Sequence, residues 1–272
     1  MSRASKYVTD RLQMSAVDSQ NYIAQQVRSH DYDRYFSTLF CPAECRLAIF
    51  ALYAFNIEIA TIRETVSEPL IGQMRLQWWR DTIGAIYDGQ PIGHPVAAAL
   101  ADAVASCELA REPFDRMING REFDLSDEPR DELTALESYT DATSSNLVRL
   151  VLTVLGARGA DAEQLAHHAG LAWGLAGILR AVPFHSTQRF QTPSIRKPRN
   201  IATSAQRHLD SVQRIQIKLP RRAIGAILPV ACVQPYLQRL ARAGGDPSDR
   251  GLELSRLTRQ WRMTMSALRA RI

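Results

Sequence analysis

Residues 42–66 read PAECRLAIFALYAFNIEIATIRETV, and the spacing of their apolar side chains is typical of an α-helix. The apolar positions recur every three or four residues, as on one face of a helix: Leu47, Phe50, Ala51, Ala54, Phe55 and Ile59. Pro42 fits the first turn, where its missing backbone N–H costs nothing. The stretch therefore predicts a long helix.

The same periodicity continues along the chain and predicts an all-α protein. The 272 residues are rich in Ala, Leu and Arg, and alternating β-branched runs are scarce. Further helices are predicted over residues 68–87 (with Ser67 as the N-cap), 95–107, 113–121, 131–155, 161–182, 204–217, 220–243 and 252–271. We expect Pro183 to end the helix before it and residues 183–203 to form a loop. Roughly nine helices with short connections predict a bundle.

No linker divides the chain, because neither a Ser/Gly tract nor a Pro/Gln tract separates two periodic regions. Residues 1–272 are therefore expected to form one domain. Residues 1–20 have no apolar core, so we expect a loosely ordered segment rather than a targeting peptide. A membrane-spanning helix is not expected, since no run of about 20 apolar residues is present.

Charge is distributed unevenly and points to an anionic partner. Residues 1–195 carry 17 Lys and Arg against 24 Asp and Glu, whereas residues 196–272 carry 16 against 4, a net charge of +12. An anionic phospholipid surface or nucleic acid would suit such a segment. Nucleic acid is not expected, because no binding motif accompanies the charge.

The last predicted helix carries an apolar stripe with arginines mostly beside it. The stripe is formed by Leu254, Leu257, Trp261, Met265, Leu268 and Ile272. A basic amphipathic helix with a tryptophan suits a membrane surface, and packing on the bundle would give the same stripe. The sequence leaves both interpretations open.

Two adjacent histidines, His167 and His168, lie within the helix predicted over residues 161–182. Neighbouring residues do not share a helix face, so we do not expect these two to bind one metal ion together. No C-x-x-C pair is present, and no metal ligands are predicted.

Short motifs along the chain resemble the squalene and phytoene synthases in both order and spacing. They are CPAECR at 41–46, ALYAF at 51–55, WR at 79–80, YDG at 87–89, HPV at 94–96, GREFDL at 120–125 and GILR at 177–180. The resemblance extends from about residue 30 to about residue 240. It implies a helical bundle of the isoprenoid-synthase type with a central cavity.

The resemblance also implies where the family's chemistry would lie. The synthases use two facing acidic motifs whose carboxylates bind Mg²⁺, which neutralises a departing diphosphate. In this chain Ala60 and Thr61 stand at the first motif, where only Glu64 keeps a carboxylate, and Ala181 and His185 replace both aspartates of the second. Losing that metal cluster should cost more than about 10 kcal/mol in the transition state. No catalytic residue, metal ligand or cofactor is therefore expected.

The matching positions describe a vestigial cavity. By resemblance they are Asp31, Tyr32, Glu58, Ala60, Thr61, Glu64, Arg121, Glu122, Asp124, Gly177, Arg180, Ala181 and His185. Asp31 and Tyr32 stand where the family has a diphosphate-facing Ser-Phe, and a carboxylate there would repel an anion. For the charged residues of GREFDL and for Arg180, an internal ion-pair network is the competing interpretation.

A second set of motifs resembles the non-catalytic branch of the family, whose members are assembly factors for respiratory complex I. The set is DYDRY at 31–35, AFNIE at 54–58, VSE at 66–68, IGQMRLQWW at 71–79 and LRAVPFH at 179–185. It implies a non-enzymatic role, with a membrane-arm subunit or an assembly intermediate as partner. The implied location is cytoplasmic and peripheral on the inner membrane face of a bacterium, or mitochondrial in a eukaryote.

Two other functions stay open. An active squalene/phytoene synthase-like prenyltransferase would act on prenyl diphosphates and would need Mg²⁺ held by remodelled ligands. A lipid- or isoprenoid-binding protein without turnover is a middle case. The acidic positions discriminate, because the resemblance predicts four aspartates and the chain has one glutamate.

Overall fold

The computed structural model describes residues 16–126, 132–185, 197–216 and 220–272, and within these ranges all regular secondary structure is helical. The α-helices are α1 Ala16–His30, α2 Tyr32–Thr38, α3 Arg46–Ala60, α4 Ile62–Thr65, α5 Pro69–Tyr87, α6 Pro95–Cys107, α7 Glu112–Leu125, α8 Leu133–Thr140, α9 Asn146–Val154, α10 Ala160–His185, α11 Pro198–Ile215, α12 Val233–Arg242 and α13 Arg256–Arg269. A π-helical turn, Asp141–Ser145, joins α8 to α9. The prediction of an all-α fold is confirmed.

The helix predicted from residues 42–66 is α3, and most of its side chains are buried. Phe55 packs edge to face against Trp79 of α5 and Phe114 of α7, with ring centroids 5.1 and 5.5 Å away. A helix that is apolar on all sides belongs inside a bundle. It begins at Arg46 rather than at Pro42, because a 3₁₀ turn, Ala43–Cys45, follows the proline.

The longest of the described helices, α10, packs closely against the π turn and along α11. Two glycines allow this approach. A Cβ atom added at Gly170 would overlap the backbone of Ser145, and one added at Gly174 would overlap the side chain of Thr140. Because glycine has no Cβ, the backbones can meet, and the π turn with Asp141 lies beside the first half of α10.

Pro183 and Pro198 both lie in helices, at positions where the sequence predicts none. The expectation that Pro183 ends its helix is wrong, since α10 continues to His185. Proline has a helical φ, and in a last turn it removes only one backbone hydrogen bond. Pro198 begins α11 inside the region predicted as a loop, because proline is favoured in a first turn.

The N-terminal part is helical from Ala16, and α1 and α2 were not predicted. Residues 1–15, most of the segment expected to be loosely ordered, lie outside the described residues. None of the helices in the described ranges is long and apolar enough to cross a bilayer.

The apolar stripe of the last helix separates into two sets. Leu254 precedes α13 and is buried, whereas Leu257, Trp261 and Leu268 are 78%, 65% and 71% exposed. The residue that anchors α13 to the bundle is instead Met263, which is fully buried. Packing on the bundle does not account for the three exposed side chains.

Candidate functional site

Arg180, near the C-terminal end of α10, belongs to an ion-pair network of four side chains. Arg180 donates to Glu253, with Nη2 2.6 Å from Oε1 and Nε 3.1 Å from Oε2. Arg259 of α13 donates to the same carboxylate over 3.3 Å. Its Nε also lies 3.2 Å from Asp33 Oδ1, an ion-pair distance at which the two groups are not aligned for a hydrogen bond. Two guanidiniums and two carboxylates thus neutralise one another.

Burial raises the pKa of Asp33, and the nearby charges of Arg259 and Arg180 oppose that rise. The network therefore keeps a buried carboxylate beside two cations, which limits the desolvation cost of all three groups.

The remaining space beside this network is small. Trp173, Arg180, Tyr236, Glu253 and Arg259 line a cavity of about 10 Å³. That volume holds at most a single water molecule. Arg180 lies 5.3 Å from the ring centroid of Trp173, a cation–π distance. In this arrangement the Nε and Nη2 donors of Arg180 are directed at Glu253.

Helix α13 also contacts the aromatic residue at the start of α2. Gln260 Nε2 donates to Tyr32 Oη over 2.6 Å, and the Arg256 guanidinium lies 3.5 Å from the centre of the Tyr32 ring. Asp31 caps α2, accepting from the backbone N–H of Arg34 and pairing with its guanidinium at 2.7 Å. Of the two residues matched to the diphosphate-facing pair, Tyr32 therefore contacts α13 and Asp31 pairs within its own helix.

A second network surrounds Arg121 of α7. Its Nη1 donates to Tyr139 Oη over 2.6 Å and to Asp124 Oδ2 over 3.2 Å, and Nη2 reaches Asn56 Oδ1 at 3.3 Å. Tyr139 in turn donates to Asp124 over 3.0 Å. These contacts connect α3, α7 and α8.

The other predicted site residues are spread over the molecule. Glu122 lies on the outer face of α7, paired with Arg80, and Glu64 is exposed on α4. Glu58 accepts a hydrogen bond from Gln26 over 2.8 Å. Three of the positions matched to the synthases' aspartates are half-buried, namely Ala60, Thr61 and Ala181. Gly177 is also half-buried. The side chain of His185 lies outside the described residues.

Sequence reasoning missed Asp33, Glu253 and Arg259, although each contacts another member of the network. One signal was available for Glu253, which is one of four acidic residues among the last 77. An isolated carboxylate in a strongly basic segment is expected to have a nearby cation, but its partner 73 residues earlier could not be identified from spacing.

The structure brings a third histidine to His167 and His168, which are not expected from the sequence to bind one metal ion together. Their ring centroids are 5.1 Å apart, and His208 of α11 lies 5.7 Å and 5.0 Å from them. Adjacent residues leave α10 in different directions, yet both rings lie near the ring of His208 on α11. Burial lowers the pKa of His168, and it lowers that of His208 to about 4, so these two imidazoles are neutral at pH 7.

Comparison with known proteins agrees with the fold. Residues 27–193 match the family model of squalene/phytoene synthase. The chain belongs to this family. It is also 32% identical over 256 residues to NADH dehydrogenase (ubiquinone) complex I, assembly factor 6 from Bos taurus, covering 86% of this chain and 77% of that protein. Both resemblances predicted from the motifs are confirmed.

Catalytic family members are more distant. A presqualene diphosphate synthase from Rhodopseudomonas palustris is 34% identical over 143 residues, which cover 52% of this chain and 50% of that protein. A crystal structure of a dehydrosqualene synthase in complex with ligand superposes with a TM-score of 0.79 at 16% identity, over 93% of this chain and 97% of that one. This likeness establishes the isoprenoid-synthase type of helical fold.

Proposed function

We propose that this protein is a non-enzymatic assembly factor for respiratory complex I that has kept a squalene/phytoene synthase fold. The observation that carries the proposal is the identity with complex I assembly factor 6 of Bos taurus, 32% across 86% of the chain. A similarity of that extent involves most of the bundle rather than one motif. The partner is then a membrane-arm subunit or an assembly intermediate of complex I.

The surroundings of Arg180 support a role without prenyl transfer. Pockets for ligands of drug size usually measure about 300–1,000 Å³, whereas the cavity beside Arg180 measures about 10 Å³, and the larger pocket of about 460 Å³ that Glu122 lines is open to the surface. The positions matched to the synthases' aspartates are Ala60, Thr61, Ala181 and His185. Mg²⁺ prefers carboxylate oxygens, so degenerate acidic motifs remove its protein ligands.

The exposed face of α13 supports a peripheral position on a membrane. Leu257, Trp261 and Leu268 project from this face, and Arg262 and Arg269 beside them are also exposed. Apolar side chains that enter the headgroup region and arginines that meet anionic phosphates reinforce each other. The corresponding location is the cytoplasmic face of a bacterial inner membrane, or a mitochondrion.

Deletion of the gene tests the assembly role. We expect assembled complex I on native gels and NADH-linked respiration to fall, and succinate-linked respiration, squalene and carotenoids to stay unchanged. Re-expression of the wild-type chain should restore complex I. Normal complex I in the deletion strain would reject the proposal.

The alternative is a prenyltransferase, which the match to presqualene diphosphate synthase over half of the chain favours. Under this reading, the purified protein releases diphosphate from farnesyl or geranylgeranyl diphosphate when Mg²⁺ or Mn²⁺ is present. We expect no release above background. Metal-dependent turnover that Glu64→Gln abolishes would establish the alternative and remove the non-enzymatic reading.

A further inference from the structure

Three of the six histidines of the chain meet at the contact between α10 and α11. Each of His167, His168 and His208 offers a ring nitrogen, and these three nitrogens lie within 4.8 Å of one another. His208 is buried, whereas the side chain of His167 is 41% exposed, so the cluster reaches from the interior to solvent. An ion could enter from the His167 side.

The contact of His167 with Asp141 orients the imidazole ring for binding a metal ion. Its Nδ1 lies 2.8 Å from Asp141 Oδ1 in the π turn, and that carboxylate also accepts from Arg149 at 3.3 Å. The carboxylate fixes the tautomer with the proton on Nδ1, which leaves the Nε2 lone pair free. A carboxylate behind a ligating histidine is the common outer-shell arrangement of zinc sites.

The other two histidines face each other directly. Their Nδ1 atoms are 2.8 Å apart, so one must donate and the other accept when no ion is between them. On its far side, His208 presents Nε2 3.9 Å from Glu137 Oε1, and Arg207 holds that carboxylate at 3.1 Å. A proton on Nε2 of His208 would face Glu137 and leave Nδ1 as the ligand.

We propose that His167, His168 and His208 bind a zinc ion through three neutral imidazoles, with an open fourth position for water or another ligand. Zinc accepts three histidines in this way, at about 2.0–2.1 Å from each nitrogen. A tetrahedral ion separates ligand nitrogens by about 3.3–3.4 Å at those distances. The two Nδ1 atoms therefore have to move apart by roughly half an ångström, and a pair of nitrogens near the 4.8 Å limit has to close by about 1.4 Å, so zinc binding requires the imidazole rings to rotate. Mg²⁺ does not fit, because it requires oxygen ligands.

The surrounding charges are mixed. The cations Arg207 and Arg214 lie close enough to His168 to lower its pKa, and both oppose a divalent ion. The carboxylates of Asp141 and Glu137 lie behind His167 and His208, and both favour a divalent ion. The site is thus better matched to an ion held by neutral nitrogens than to one held by direct carboxylate ligation.

Zinc titration of the full-length, tag-free and EDTA-treated protein tests the proposal by calorimetry. We expect one zinc per chain, with binding at least tenfold weaker in His167→Gln and His208→Gln. Asp141→Asn should weaken binding about 10- to 100-fold, as is usual for an outer-shell carboxylate. His30→Gln, which changes an exposed histidine on α1, is the matched control and should bind as the wild type does.

Cobalt provides a readout that a purely structural role would not change. Co²⁺ in a tetrahedral nitrogen site gives visible absorption, which zinc should displace and which His167→Gln should abolish. The exposed His167 keeps the test informative if the His208 variant fails to fold. Zinc binding that is absent from the wild type, or equally strong in the wild type and His167→Gln, would overturn the proposal.

Discussion

Arg180 and Glu253, 73 residues apart, form a doubly hydrogen-bonded ion pair, with Arg180 Nη2 2.6 Å and Nε 3.1 Å from the carboxylate oxygens. By resemblance, Arg180 belongs to the segment that borders the active-site cavity of the synthases. Here its donors are directed at a carboxylate supplied by the C-terminal part of the chain. The same carboxylate accepts from Arg259 of α13. The C-terminal helix is therefore attached to the bundle at the segment that the resemblance assigns to the border of the cavity.

Glu253→Gln is expected to lower the free energy of unfolding by about 1–3 kcal/mol, because two guanidiniums lose their charged partner. This loss of stability is smaller than for a fully buried ion pair, because the side chains of Arg180 and Glu253 are both partly exposed to water. Urea unfolding measures the change. Glu64→Gln removes an exposed carboxylate on α4 and should stay within about 0.5 kcal/mol of the wild type. Equal effects of the two variants would contradict the structural role of the pair.

Acid should destabilise the metal-free protein through His208. Burial, together with His168, His167 and Arg207, lowers its folded-state pKa from 6.5 to about 4, and only Glu137 opposes this shift. Between these values the unfolded chain binds the extra proton, so the stabilisation is present above pH 6.5 and is lost as the pH falls toward 4. Its slope is at most about 1.4 kcal/mol per pH unit for one proton.

Unfolding in EDTA between pH 7 and pH 5 measures this dependence. His208→Gln should flatten the pH dependence, whereas His30→Gln should leave it as steep as in the wild type. Identical slopes in the wild type and His208→Gln would show that other groups determine the acid response.

Two glycines of α10 should respond to alanine in opposite ways. At Gly177 an added Cβ meets no heavy atom within 4 Å among the described residues, and alanine favours helix by about 0.5–1 kcal/mol. At Gly170 the added Cβ overlaps the Ser145 backbone, and overpacking of this kind costs about 1–3 kcal/mol. Gly177→Ala is thus expected to raise the midpoint of thermal unfolding and Gly170→Ala to lower it. A destabilised Gly177→Ala variant would indicate that this face of α10 is packed.

Local pattern was sufficient to predict most of the helices. The apolar spacing of residues 42–66 and of residues 69–87 depends only on neighbours three and four positions away, which one sequence contains. Helix α6 has the predicted bounds, Pro95–Cys107, and α5, Pro69–Tyr87, begins one residue after the predicted start because Glu68 rather than Ser67 is its N-cap. Helix α1 has a more polar sequence, and its pattern gave no comparable signal.

The contacts that define the site are of a different kind. His208 meets His168 because α10 and α11 pack in one particular register, and Gly170 and Gly174 set how closely α10 approaches the π turn. The spacing of residues along one helix predicts neither the register of α10 against α11 nor the distance between α10 and the π turn. Sequence motifs could therefore indicate the family and could suggest ion pairs for Arg180 and the charged residues of GREFDL, but they could not identify Glu253 as the partner of Arg180 or predict the histidine cluster.

The exposed face of α13 should bind anionic vesicles, and this prediction has a matched control. Leu257→Ala combined with Trp261→Ala removes two side chains that are 78% and 65% exposed, so binding should fall while the unfolding midpoint changes little. Leu70→Ala, which changes an exposed leucine on α5, should bind as the wild type does.

Exposed charges are screened beyond about 8 Å at physiological ionic strength, so added salt should weaken sedimentation with phosphatidylglycerol or cardiolipin vesicles. Arg262→Glu with Arg269→Glu should reduce that salt dependence together with the binding. Equal binding to neutral and anionic vesicles would remove the electrostatic contribution, and unchanged binding of the Leu257/Trp261 variant would place the membrane contact on another surface.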